Sequence, residues 1–238
     1  MPDPFWGMRA IPEAAAPSGT NNVSAISKVR GTGLSGTGGV SFTTAALGGT
    51  PANGNILVAV VGTSNITDPV AQMTGPTGFT NVVSAWHAPN SGVDPSCAIW
   101  WKPAGAGETG PYAWTTTTGT IIQAELMEFS KTGGGAWRPV VGGTDNGVGA
   151  TGVNEATTGT QLGPVTPLNW MGLCVVGAAM QNTITTEAAT GFTMQATAAT
   201  SRMAAGWKTY NSNAAQSGTI TWVNARRWAG CIALFEAT

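Results

Sequence analysis

The chain has 238 residues, of which 9% are charged, and a net charge of −1. Ordinary soluble domains carry about a quarter charged residues, so Gly, Thr, Ala, Asn and Ser must supply solubility here. No Lys/Arg run exceeds Arg226-Arg227, which excludes a phosphate-tracking stripe and, with it, nucleic acid as a partner. Low charge also removes the self-repulsion that keeps a lone protein monodisperse, and points to a homo-oligomer or a subunit packed among others.

Residues 1–20 are predicted to form an extended arm, because Pro2, Pro4, Pro12 and Pro17 remove donors and fix φ. The arm carries Phe5, Trp6, Met8 and Ile11, side chains that a solvated tail has no reason to display. They are the candidate anchoring residues, docking either on a partner or on the arm's own domain. The start Met-Pro-Asp-Pro-Phe-Trp has neither the basic opening nor the apolar core of a signal peptide.

From residue 21 the pattern is strand and punctuation. Asn21–Arg30 is predicted as a first strand, followed by the glycine-rich stretch Gly31–Gly39. That stretch lacks the following helix that a phosphate or dinucleotide loop needs. Strands are predicted at Val40–Ala46, at the apolar run Asn55–Gly62, and at Phe79–Trp86, Ser96–Lys102, Tyr112–Thr116 and Ile121–Ser130. In the last, Gln123, Glu125, Met127 and Phe129 share one face, with Ile122, Ala124 and Leu126 opposite.

Residues 131–168, rich in Gly, Thr, Asn and Pro, join this region to the next, with Trp137 as an anchor and a short strand at Pro139–Gly142. Further strands follow at Trp170–Met180, Gly191–Thr197, Ser201–Tyr210, Gly218–Asn224 and Trp228–Glu236. No apolar run approaches the ~20 residues of a membrane helix, so membrane insertion is not expected.

The second series echoes the first. Val60-Val61-Gly62 matches Val175-Val176-Gly177, and Gly78-Phe79-Thr80 matches Gly191-Phe192-Thr193. Trp101-Lys102 matches Trp207-Lys208, Trp114 matches Trp222, and Phe129 matches Phe235. Half-repeats at about 40–132 and 165–238 therefore organise the chain. The expected fold is all-β: one domain over 21–238, an antiparallel β-sandwich of jelly-roll type built from two related strand sets.

Candidate chemistry is sparse. The single histidine, His87, borders the loop Pro89-Asn90-Ser91-Gly92, and no Gly-x-Ser-x-Gly elbow is present. A glycosidase needs two carboxylates about 5–9.5 Å apart. Glu125 and Glu128 are an odd number of residues apart and face opposite sides of a strand, while Asp94 and Glu108 sit in separate loops. Cys97, Cys174 and Cys231 each border apolar runs without Cys-x-x-Cys spacing, as buried free thiols made in a reducing cytoplasm would. No cofactor, metal or catalytic residue is assigned, and no enzymatic activity is expected.

Ten tryptophans stand against two tyrosines. Exposed indoles can stack on sugars, but Trp101, Trp114, Trp207 and Trp222 recur in both halves, as a shared core demands. Trp86 and Trp137, placed near loops, are the candidate glycan contacts.

The successive segments NILVAVVG, GPTGFTNV, AIWWKPAGAGETGPYAWT and AELMEFSKTGG resemble a β-sandwich unit of tailed-bacteriophage virion proteins, especially minor tail and tail-tip proteins of actinobacterial phages. The resemblance covers about residues 40–238 and carries no catalytic residues. It implies an oligomeric structural protein of the virion, fixed by a terminal segment to other phage structural proteins, with host adhesion to cell-wall glycan as an added role. Two alternatives stand beside it: a capsid decoration protein on the head, and a secreted carbohydrate-binding module or glycan hydrolase.

Overall fold

The computed structural model describes residues 23–32, 39–64, 69–86, 95–108, 110–117, 120–147, 155–161, 171–181, 187–195, 202–211, 216–222 and 227–237. The arm with Phe5, Trp6, Met8 and Ile11 lies outside the described residues, as do His87 and Trp170.

The first half contributes β1 (Ala25–Gly31), β2 (Ser41–Thr43), β3 (Ile56–Ser64), β4 (Met73–Thr74), β5 (Thr80–Trp86), β6 (Pro95–Pro103), β7 (Ala113–Thr116) and β8 (Thr120–Thr132). A single helical turn, α1 (Pro69–Gln72), precedes β4. The second half contributes β9 (Trp137–Gly147), β10 (Glu155–Gln161), β11 (Gly172–Met180), β12 (Glu187–Ala189), β13 (Thr193–Met194), β14 (Met203–Tyr210), β15 (Gln216–Trp222) and β16 (Trp228–Ala237).

The strands form four sheets. The first half makes a five-stranded sheet, β1-β8-β3-β6-β5, and a three-stranded sheet, β2-β7-β4. The second half makes β9-β16-β11-β14-β13 and β10-β15-β12. Adding eight to each strand number of the first half reproduces the second, strand for strand. The repeat is therefore wider than the residues that mark it in the sequence, because it takes in β1, β9 and β10.

Every pairing is antiparallel. Within a half, the first strand pairs with the eighth, the second with the seventh and the third with the sixth. These three pairings are nested one inside the next. The fifth strand departs from that plan, lying beside the sixth in the larger sheet rather than beside the fourth.

Three cores separate the layers, and strand alternation assigns side chains to them. In β3, Val58 and Val60 face the other half while Leu57, Ala59 and Val61 face the small sheet of their own half. In β11, Leu173 and Val175 face the first half while Cys174, Val176 and Ala178 face the small sheet β10-β15-β12. Each half is thus a sandwich with its own outer core, and the five-stranded sheets stack back to back over a shared central core. This explains why β3 and β11 are apolar on both faces and buried throughout.

Glycine sets how closely the large sheets approach. A Cβ at Gly177 would fall 2.3 Å from Cγ1 of Val60, and one at Gly62 would fall 3.2 Å from Cβ of Ala179. Neither glycine is there for a turn; the facing strand occupies the side-chain space. The turns before β5 and β13 use glycine for its dihedral, with φ of 84° at Gly78 and 79° at Gly191.

Pairing registers refine the repeat. Trp101 lies opposite Val58, and Trp207 lies opposite Val175. Likewise Phe129 lies opposite Ile56, and Phe235 opposite Leu173. Val58, not Val60, is thus the counterpart of Val175. The similarity of the Val-Val-Gly triplets places the match two residues away, a slip that period-two strands conceal because it leaves every side chain on its own face.

Candidate functional site

The central core is the natural place to look, because there side chains of one half meet those of the other. Trp101 packs on Phe235 with ring centroids 6.1 Å apart, and Trp207 packs on Phe129 at 5.3 Å. These two contacts are counterparts, each half lending a tryptophan to the other's phenylalanine. Such reciprocity marks an isologous interface, as between two identical subunits. Trp114 and Trp222 are buried in the two outer cores. The recurring tryptophans therefore pack within the protein.

An arginine–carboxylate pair recurs in both halves. In β8, Glu128 is fully buried and paired with Arg30 of β1 at 2.7 Å; it also accepts hydrogen bonds from the backbone N–H of Ala52 and from Asn55 Nδ2. In β16, Glu236 is ion-paired with Arg138 of β9. Both arginines lie directly opposite their carboxylates in the ladder, but in the Phe129–Phe235 register Leu234 holds the position of Glu128 and Glu236 stands two residues further along, on the same face. The chain's two tyrosines sit near them. Burial, then the nearby Glu128 charge, raises the Tyr112 hydroxyl above its ordinary pKa, and burial, then Glu236, does the same to Tyr210.

One polar cluster does not repeat. Glu125, fully buried on the face of β8 that meets the second half, lies 3.5 Å from Lys28 Nζ of β1. Lys28 in turn donates to Oε1 of Gln195, just beyond β13 in the second half. A β-bulge makes this possible. The β1–β8 register shifts between Lys28 and Arg30, so two residues that regular alternation would place on one face instead point to opposite faces. Lys28 turns inward to Glu125, and Arg30 turns outward to Glu128. Among the described residues Oε2 of Glu125 has no hydrogen-bond partner. Burial raises its carboxyl to about 7, with Lys28 opposing that rise. Gln123, on the same face, accepts from the backbone N–H of Arg202 in the second half. At the position of Glu125 the second half carries Cys231, since Val60 faces Glu125 and its counterpart Gly177 faces Cys231.

The cysteines are free and buried, and Cys231 donates to the carbonyl oxygen of Cys97 across the central core. Burial pushes the Cys174 thiol up to about 12 and raises that of Cys231 as well, which leaves them weak nucleophiles.

The two candidate glycan contacts part company. Trp86 ends the edge strand β5 and is half-buried. Trp137 belongs to the central core at 5% exposure, with Lys131 Nζ 5.9 Å from its ring centroid. A sugar needs an open ring face, so Trp137 is corrected from loop residue to core residue. Its neighbours Gly133–Gly135 suggest a loop in the sequence, but β9 begins at Trp137 itself. Glu125 and Glu128 face opposite sides of β8 as their spacing requires, and so form no acid pair. Glu108 is ion-paired with Lys102, and Asp94 lies outside the described residues. Among the described residues no three His, Cys, Asp or Glu side chains gather as a metal site, and no helix is long and apolar enough to cross a membrane.

The fold and these contacts define an all-β protein made of two fused, related sandwiches. Comparison with protein-family models, with curated proteins and with solved structures finds no match to this chain.

Proposed function

We propose that this chain is a structural subunit of a tailed-bacteriophage virion, stationed at the tail tip and assembled with copies of itself and other phage structural proteins. The observation that carries the reading is the construction of the described residues as scaffold. Two eight-stranded sandwiches are joined through a central core, and the buried carboxylates Glu128 and Glu236 are engaged in structural ion pairs. A charged fraction of 9% suits a protein whose surface is shared with neighbours. The resemblance of residues 40–238 to phage tail sandwiches supports the same reading, with the arm at 1–20 as the attachment. Host adhesion is an added role, for which Trp86 on edge strand β5 is the candidate contact.

The test is an electron micrograph of particles labelled on this protein. Label at the tail tip is the expected result. Label over the head would make it a capsid decoration protein, and particles without label would overturn the virion assignment. For adhesion, the purified protein should bind host cell-wall glycan, and Trp86→Ala should abolish that binding while Trp137→Ala should act only through stability.

A further inference from the structure

A polar cluster that the repeat does not explain has the parts of an amide-forming reaction. An amine, Lys28 Nζ, contacts a carboxamide, the side chain of Gln195. A fully buried carboxyl, Glu125, stands 3.5 Å from the same amine. We propose that Lys28 and Gln195 join as an intramolecular isopeptide bond, with Glu125 as the catalytic acid–base and one ammonia released per chain.

The atoms balance without any other reactant. The uncharged amine of Lys28 attacks Cδ of Gln195, forming the new N–C bond. Glu125, protonated at the start, gives its proton to the carboxamide nitrogen, and the carboxylate so formed takes the surplus proton of the attacking amine. The old C–N bond then breaks, ammonia leaves, and Glu125 returns to its starting state. No oxidation occurs and no cofactor is needed.

Two features favour this over an ordinary buried ion pair. First, the groups are fixed by backbone and not by side-chain chance. Lys28 is aimed by the β1 bulge, and Gln195 is anchored by its own N–H to the carbonyl of Ala205 in β14. Holding amine and amide in contact converts a slow bimolecular aminolysis into a unimolecular step. Second, Glu125 sits where burial raises its carboxyl to about 7, which suits a group that must both take and give a proton near neutrality. The same burial favours the uncharged form of this acid.

The bond would join the halves where they are weakest. β1 is an edge strand of one large sheet, and β13 an edge strand of the other. Edges lack a second neighbour and open first under load. A covalent tie between them would hold the two sandwiches together under forces that peel strands. This inference does not depend on the virion assignment.

Intact-mass measurement of the purified full chain, with peptide mapping, tests it. The expected result is a mass lower than that of the sequence by one ammonia and a cross-linked peptide pair containing Lys28 and Gln195. Glu125→Gln and Lys28→Arg should each restore the full sequence mass and abolish the linked peptide. Wild-type protein at full mass, or one ammonia lighter without the linked pair, would overturn the proposal whether or not the variants fold. A linked pair that persists in Glu125→Gln would overturn the role given to Glu125.

Discussion

The two halves of this protein share a strand order but not a chemistry. Both place an arginine on the first strand opposite a buried glutamate on the eighth, and both pack a lysine near the phenylalanine that precedes the fifth strand. Both lend a tryptophan to the partner half's phenylalanine. Only the first half carries Glu125 and Lys28, and the second carries Cys231 where Glu125 would be. What repeats is what every such sandwich needs in order to stand. What does not repeat is free to serve the contact between the halves.

The comparison is most severely tested at the central aromatics. Phe129→Ala and Phe235→Ala should each cost about 3–5 kcal/mol by urea unfolding, and the two losses should be similar because the packing is reciprocal. A large loss from one and none from the other would break the equivalence. Gly177→Ala should cost about 1–3 kcal/mol by overpacking Val60.

Glu125 makes the halves unequal in pH response. Its carboxyl stays protonated in the folded protein up to about 7, whereas in the unfolded chain it ionises near 4.5. Between those values the unfolded chain has lost a proton that the folded one keeps, so stability must fall as pH rises from 4.5 to about 7. The drop should be on the order of 3 kcal/mol. Glu125→Gln should remove this dependence in thermal melts followed across that range.

The ion pairs should differ more modestly. Glu128 Oε1 keeps hydrogen bonds from Ala52 and Asn55 when Arg30 is lost, whereas the hydrogen bond to Glu236 Oε1 comes from Arg138 itself. Arg138→Ala should therefore cost about 2 kcal/mol and Arg30→Ala about 1, both reduced by the partial exposure of the arginines. The smallest effect belongs to the lysines. Lys208→Met should lose about 0.5–1 kcal/mol of cation–π attraction to Phe192, 4.5 Å from the ring centroid. Lys102→Met should cost more, because Lys102 also pairs with Glu108.

Much of the fold was legible because long strands carry their own signal. β3, β6, β8, β11 and β16 are apolar or alternating over seven or more residues, and Phe and Trp mark their register. β4 and β12 escaped because two or three residues cannot show a period, and β10 because Glu155–Gln161 is mostly Thr, Ala and Gly. The match between Val60 and Val175 was off by two because alternation looks the same after an even slip. The polar cluster was illegible for a different reason. Residues 28, 125 and 195 meet only after two sheets stack, and the bulge that aims Lys28 leaves no mark in Ser27-Lys28-Val29-Arg30. Trp137 was misplaced because its glycine neighbours outweighed its ring.

Native-state hydrogen exchange on the full chain, followed by mass spectrometry, tests most directly whether the halves are equivalent sandwiches around one core. The amides of β3 at 56–64 and β11 at 172–180, central in their sheets, should be the slowest to exchange and should open together, since the same core covers both. The short strands β2, β4 and β12 should exchange earlier in both halves. If β11 opened while β3 remained protected, the two halves would be independent units and the shared core would not be what holds them.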